Sequence, residues 1–157
     1  MPDVAELPTV SEMGLASVAV ASPTMLTVSG SAHAAMIAQA YDCYPEEACG
    51  LLIGHPAAGI VVRFVPCENT THSAKIYSVD PLDLLRAERA AETEQMEVIG
   101  VMHSHTHTEP YPSPTDVRQA PDPTWHYIIV SLKREMPEVR SYRLVDRTVT
   151  DEAIAIA

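Results

Sequence analysis

Residues 97–117 read EVIGVMHSHTHTEPYPSPTDV, an apolar run that leads directly into three histidines at alternate positions. The apolar run predicts a buried strand. Because residues two apart on a strand share a face, His103 and His105 should point the same way at its end. His107 continues the alternation, but the chain leaves the strand through Glu109 and Pro110, so His107 need not share that face. Two imidazoles on one face are a suitable arrangement for binding one metal ion.

The end of the same stretch predicts the start of a helix. Ser113 suits the N-cap, Pro114 the first helical position and Asp116 the third, which together form a capping box. A capping box accounts for Ser113 and Asp116 without any metal. The two interpretations are compatible, however, because the loop at 106–112 can fold the helix back over the strand end. Two histidines and one carboxylate would leave the fourth position of a tetrahedral zinc open, as in catalytic sites.

Composition limits the class of protein. A chain of 157 residues, 46% of them hydrophobic, can form one domain with a substantial core. We expect this domain to span residues 23–157, after a flexible tail at 1–22. The net charge of −11 argues against a nucleic-acid partner, and no apolar run is long enough to span a membrane. Three cysteines without a CxxC pair favour reduced thiols and a cytoplasmic location.

Patterning along the rest of the chain predicts alternating strands and helices. A helix is expected from the N-cap Ser31 to Pro45, and a second from the N-cap Asp80 with Pro81 at its first position. A short helix should start at Ser113. Strands are expected within residues 24–30, 48–54, 59–69, 74–80, 97–105, 125–132, 138–146 and 148–157. This order favours a mixed α/β fold, with helices packed on one sheet, over a regular βαβ repeat.

The spacing of the four polar residues resembles a known signature. His-x-His, seven residues, Ser, two residues and Asp is the pattern of the JAMM (MPN-plus) metalloproteases, and it fits His103, His105, Ser113 and Asp116. The resemblance implies a single JAMM/MPN-like domain, similar to cytidine deaminases, with a mixed curved β-sheet flanked by helices. It also implies one Zn²⁺ per chain, bound by the two histidines and Asp116. Ser113 would stabilise the oxyanion.

A second stretch, YPEEACGLLIG at residues 44–54, is similar to the segment in which this family carries its catalytic acid. The resemblance implies that Glu47 is the general base. Glu46 remains the alternative, because adjacent side chains in an extended segment face opposite ways and only one of the two can serve. Without the resemblance, a solvated turn after Pro45 would account for both glutamates.

The resemblance covers residues 24–157 and is strongest to the short bacterial branch of the family. That branch implies a peptidase that cleaves the amide after the C-terminal Gly-Gly of a small ubiquitin-like sulfur carrier and releases cysteine, in cysteine biosynthesis. Two alternatives stay open. The same chemistry could act on another ubiquitin-like carrier, in thio-metabolite biosynthesis or protein deconjugation, or the chain could be a non-catalytic scaffold. Exposed strand edges would also permit a homodimer.

Weaker candidates lie outside the motif. Asn69, Ser73 and Tyr77 could contact a substrate in the cleft, although turn and strand roles are more ordinary for each. Cys49 could in principle be a nucleophile, but a small cysteine with apolar neighbours usually belongs to the core. Ser104 lies between the two histidines and should face away from them, in a structural role.

Overall fold

A computed structural model describes residues 25–157, so the tail expected at 1–22 lies outside the described residues. The helices are α1 (Gly30–Cys43), α2 (Pro81–Thr93) and α3 (Pro114–Gln119). The strands are β1 (Met25–Val28), β2 (Cys49–His55), β3 (Ile60–Cys67), β4 (Glu97–His105), β5 (His126–Ser131), β6 (Glu138–Val145) and β7 (Thr148–Ile156). Within residues 25–157, no helix is long and apolar enough to cross a membrane.

The strands form one mixed sheet in the order β1-β3-β2-β4-β5-β6-β7. The predicted α/β class with a mixed sheet is confirmed, but the sheet curves further than expected. It closes into a barrel, because the short β1 pairs in parallel with both β3 and β7. The homodimer was expected because of exposed strand edges, and in the closed sheet these edges pair with each other. Dimer formation itself stays a prediction.

The two faces of the sheet bury different helices. Leu52, Met102 and Ile128 pack on the side of α1, whose buried residues are Ala32, Met36 and Ala40. The residues next to them along the strands, Leu51, Val101 and Ile129, face the opposite side, toward α2 and α3. This alternation is what a strand buried on both faces requires. It places His103 on the side of α2 and α3.

The N-cap of α1 is Ser29, so the expectation of Ser31 was wrong. Ser29 has extended backbone dihedrals (φ −62°, ψ 146°), and its hydroxyl oxygen accepts a hydrogen bond of 3.1 Å from the amide of Ala32. The same hydroxyl donates to the carbonyl of Val62 at 2.8 Å, which ties the helix start to β3. Gly30, expected to end the strand, is the first helical residue. Because serines flank Gly30 on both sides, the sequence pattern could not decide which of them is the N-cap.

Residues 74–80 do not form the predicted strand. They belong to a loop organised around the buried side chain of Asn69, which is 5% exposed. The side-chain nitrogen of Asn69 donates to the carbonyls of Glu47, Ser73 and Ile76, and its oxygen accepts from the amides of Thr71 and Ser78 and the hydroxyl of Thr71. In this loop the side chain of Asn69 forms the backbone hydrogen bonds that a neighbouring strand would form. Alternating hydrophobicity could not predict this, because it indicates which residues are buried and not which groups their backbone bonds.

The register of β2 against β4 sets the distance between Glu47, which precedes β2, and the two histidines at the end of β4. Cys49 lies opposite His103 in this antiparallel pair. Close backbone approaches fix the neighbouring strands: a Cβ added at Gly54 would lie 1.8 Å from a backbone oxygen of β3, and one at Gly100 would lie 2.1 Å from a backbone oxygen of β5. Only glycine fits either position.

Candidate metal centre

Three side-chain atoms converge where β4 ends and α3 begins. Nε2 of His103 lies 3.1 Å from Nε2 of His105 and 3.1 Å from Oδ2 of Asp116, and Nε2 of His105 lies 3.3 Å from the same oxygen. Ligands at zinc bond lengths in a tetrahedral arrangement are about 3.3 Å apart. All three side chains are buried. Two nitrogens and one oxygen at these separations are therefore a donor set that fits zinc with one position left open.

Both imidazoles are oriented by neighbours beyond the donor set. Nδ1 of His105 lies 2.7 Å from the carbonyl oxygen of Glu109, which assigns the proton to Nδ1 and leaves Nε2 free as a ligand. The ring of His103 stacks on Tyr77, with centroids 4.4 Å apart and 15° between the planes. The contact with Glu109 depends on the turn that follows the strand, and sequence reasoning did not find it.

Asp116 is both a capping residue and a member of the donor set. Its Oδ2 accepts a hydrogen bond of 2.8 Å from the amide of Ser113, and its own amide donates to the hydroxyl oxygen of Ser113 at 3.1 Å. The predicted capping box is thus confirmed. Burial alone would raise the pKa of Asp116, but its contacts with His103 and His105 and the hydrogen bond from the amide of Ser113 outweigh it and hold this pKa below its usual range. Asp116 is therefore a carboxylate at neutral pH.

The two candidate acids face different surroundings. Glu47 is 3% exposed, and one of its carboxylate oxygens lies within 4.8 Å of the ligating nitrogens of both histidines. Its Oε2 is buried without a hydrogen-bond partner among the described residues. Burial raises the pKa of Glu47 to about 7, with a contribution from Asp116 and against the influence of His105. Glu46, in contrast, has a 42% exposed side chain that lies 3.4 Å from His72.

Hydrogen bonds to the backbone hold Glu47 in this position. Its amide donates to the carbonyl of Ser73 at 2.8 Å, and its carbonyl accepts from Asn69 at 3.1 Å. The next amide, that of Ala48, donates to the hydroxyl of Ser104 at 2.7 Å. Ser104 therefore faces away from the metal donors and has the structural role expected of it. Asn69 and Ser73, weak candidates for substrate contacts, support the loop and the backbone of Glu47.

An open cleft of about 250 Å³ gives access to the donors. It is lined by Glu47, His105, Ser113 and residues 74–75 and 106–108. A second cavity is lined by Asp116 together with Tyr77 and Trp125.

His107 is outside the centre. The strand ends at His105, and the exposed ring of His107 packs edge-on against Tyr44 with centroids 5.9 Å apart. Of the three alternating histidines, only the first two join the donor set.

A thiol mechanism is disfavoured by the surroundings of Cys49. This residue is fully buried, and burial raises the pKa of its thiol to about 12. Cys49 is therefore a neutral core thiol at neutral pH, and a nucleophilic thiolate is not available there.

Comparison with protein families gives a match over most of the chain. Residues 29–145 match the family described as prokaryotic homologs of the JAB domain. The chain is 40% identical over 123 residues to the CysO-cysteine peptidase of Mycobacterium tuberculosis. The aligned region covers 78% of this chain and 84% of that protein. It is also 38% identical over 71 residues to the desampylase of Pyrococcus furiosus, which covers 45% of this chain and 49% of the relative.

Solved structures share the fold. A protein of Desulfitobacterium hafniense superimposes with a TM-score of 0.79 at 32% identity, over 85% of this chain and 93% of its own. A structure described as a JAMM metalloprotease-like zinc site superimposes with a TM-score of 0.52 at 15% identity, over 83% of this chain and 98% of its own.

Proposed function

Since the chain belongs to the JAMM family, through the prokaryotic homologues of the JAB domain, and is a peptidase, we propose that it is a zinc enzyme acting on a ubiquitin-like sulfur carrier. It hydrolyses the amide after the C-terminal Gly-Gly of that carrier, and the leaving group is cysteine. The single observation that carries this proposal is the convergence of His103, His105 and Asp116 at tetrahedral spacing beside the buried carboxyl of Glu47.

We assign one zinc ion per chain to His103, His105 and Asp116. A zinc ion held there would polarise a scissile carbonyl and make water more acidic. The chemistry of the donor set supports this assignment, because two neutral imidazoles and one carboxylate suit zinc better than calcium or magnesium, which prefer oxygen ligands. Oε2 of Glu47 has no hydrogen-bond partner among the described residues, so it is free to accept a hydrogen bond from a reacting water.

Glu47 is the proposed general base and acid. A carboxyl with a pKa near 7 can accept a proton from water and return it to a leaving amine at neutral pH. In the overall reaction the C–N bond breaks, the oxygen of water remains on the glycine carboxylate, and the amine gains a proton. Glu46 cannot take this role from its exposed position beside His72.

Ser113 is the proposed oxyanion donor. Its hydroxyl oxygen accepts the capping bond from Asp116, so its proton remains available to donate into the cleft that it lines. One such donor is worth about 3 kcal/mol of barrier in other hydrolases. The capping and catalytic roles of Ser113 therefore use different atoms of the same hydroxyl.

Two observations support the proposed substrate. The relative with 40% identity is a CysO-cysteine peptidase, and the cleft is small, below the roughly 300–1,000 Å³ of pockets for drug-sized molecules. A Gly-Gly tail has no side chains to exclude from such a space. We place the reaction in cysteine biosynthesis in the cytoplasm, a compartment that suits the three free cysteines.

A second candidate is the removal of a ubiquitin-like modifier from a protein lysine. The similarity to a desampylase favours it. The same zinc site would serve both reactions, and only the leaving amine differs. Cleavage assays with two defined adducts separate them: a carrier ligated to cysteine at its C-terminus, and the same carrier in isopeptide linkage to a lysine side chain. Faster turnover of the isopeptide would replace cysteine release with deconjugation.

Metal content tests the donor set. We expect about one zinc per purified chain, none in His105→Ala, and an unchanged amount in His107→Ala. His107→Ala is the matched control, because its imidazole lies two residues away but outside the centre. Tight zinc retained by His105→Ala would contradict the proposed site.

Paired glutamine substitutions test the general base. Glu47→Gln should keep zinc and lose kcat by about 10²–10⁴-fold, the usual contribution of a general base. Glu46→Gln should stay close to the wild-type kcat, because its side chain faces solvent. Full activity of Glu47→Gln would refute the assignment.

A further inference from the structure

The cleft beside Glu47 carries a lysine that the reaction just described does not use. Lys75 lines the cleft with Glu47, His105 and Ser113, and it is the one lysine or arginine among the described residues that line it. Its side chain is exposed and forms no ion pair within residues 25–157. The chain's other lysine, Lys133, is engaged 2.9 Å from Glu109.

The backbone of Lys75 is tied to the general base. Its amide donates to the hydroxyl of Ser73 at 3.0 Å, and the carbonyl of Ser73 accepts from the amide of Glu47 at 2.8 Å. Asn69 adds a further bond to the carbonyl of Glu47. Lys75 therefore extends from a segment whose backbone is tied to that of Glu47.

The charge of Lys75 gives the cleft a cation that does not depend on the metal donors. The chain carries a net charge of −11, and Asp116 adds a buried carboxylate close to the cleft. Lys75 can attract a leaving group that has its own carboxylate, in addition to the charge that a zinc ion held by the donors would supply. A free amino acid has such a carboxylate on the carbon next to its amine. A lysine side chain of a conjugated protein has none near its ε-amine.

We propose that Lys75 binds the α-carboxylate of the leaving amino acid and thereby selects substrates whose carrier is joined to a free amino acid. This inference rests on the proposed function, because it assigns the leaving-group side of the same site. Hydrolysis proceeds as described above, and Lys75 exchanges no proton in it. The ammonium orients the leaving amino acid so that its nitrogen receives the proton from Glu47.

The test compares two adducts of one ubiquitin-fold carrier that ends in Gly-Gly. One is ligated to cysteine, with a free α-carboxylate, and the other to cysteinamide, without that charge. We expect the zinc-loaded wild type to favour the acid in kcat/KM by about tenfold, a ratio equivalent to about 1.4 kcal/mol. In Lys75→Met the ratio should fall towards one, and Lys75→Arg should keep most of it.

Arg89→Met is the matched control, because it removes one exposed positive charge from α2, outside the cleft, and should leave the acid-to-amide ratio unchanged. A wild type that cleaves both adducts with equal efficiency, or a Lys75→Met variant that keeps the full ratio, would overturn the role of Lys75 alone. Failure of the zinc-loaded wild type to cleave either adduct would overturn the proposed function as well.

Discussion

Replacement of Asn69 with alanine should loosen the loop that supports the general base. The side-chain amide has six hydrogen-bond contacts, but its two hydrogens and two lone pairs can form about four good bonds. At a net value of about 1 kcal/mol each, their loss amounts to about 4 kcal/mol. Water entering the loop would restore part of this, so we expect the loop to open more easily by about 2–4 kcal/mol.

Amide hydrogen exchange measures this opening directly. Because 1.4 kcal/mol corresponds to a factor of ten, exchange at Thr71, Ser78 and Glu47 should accelerate by about 30- to 1,000-fold in Asn69→Ala. The kcat should fall with it, since Glu47 loses the bond to its carbonyl. Asn69→Asp should also lower protection at Glu47, because it keeps the acceptor oxygen but replaces the donor nitrogen with an oxygen that cannot bond the carbonyls of Glu47, Ser73 and Ile76. Unchanged protection and unchanged kcat in Asn69→Ala would refute the claim that this side chain organises the site.

Three further predictions concern residues at or near the centre. Ser113→Ala should lower kcat by about 10²–10³-fold, because the oxyanion donor is lost. It should also reduce the free energy of unfolding by about 1 kcal/mol through loss of the helix cap. A loss of stability with a normal kcat would exclude the oxyanion role. Iodoacetamide at pH 8 should leave activity intact, because Cys49 is buried with a pKa of about 12, and rapid inactivation traced by mass spectrometry to this thiol would contradict that. Hydrogen bonds from Arg134 and Lys133 lower the pKa of Glu109 to about 2. These contacts therefore stabilise the folded state above the unfolded pKa of 4.5, and this stabilisation is lost as the pH falls through 2. Glu109→Gln should therefore lower Tm at pH 7 and leave it unchanged near pH 2, and an equal loss at both values would argue against these ion pairs.

Local sequence patterns predicted which nearby residues of the candidate site come together. His103 and His105 follow from strand alternation, and Ser113 and Asp116 from the capping box, because both rules depend on residues within a few positions of each other. Glu47 could not be separated from Glu46 by such rules. The backbone of Glu47 is held by contacts with residues far away in the sequence, including Asn69 and, through the next amide, Ser104, and no local pattern encodes these contacts.

The errors have the same origin. The strand expected at 74–80 is replaced by a loop because one buried side chain, Asn69, takes over the hydrogen bonds that a strand partner would supply. The closure of the sheet depends on β1 pairing with β7, at the two ends of the described chain. Strand propensity predicts that both strands exist, but it cannot tell that they are neighbours.

The glycines at 54 and 100 have a consequence for how variation would be tolerated. Both lie away from the metal donors, yet each sits where a neighbouring backbone leaves no room for a Cβ. A larger residue at either would push β3 from β2 or β5 from β4, and β2 and β4 are the strands that bring Glu47 to the histidines. A saturation mutagenesis scan scored by activity should therefore show two separate groups of intolerant positions, one at the metal donors and one at these remote glycines. The second group would be invisible to any search that ranks residues by distance from the reacting atoms.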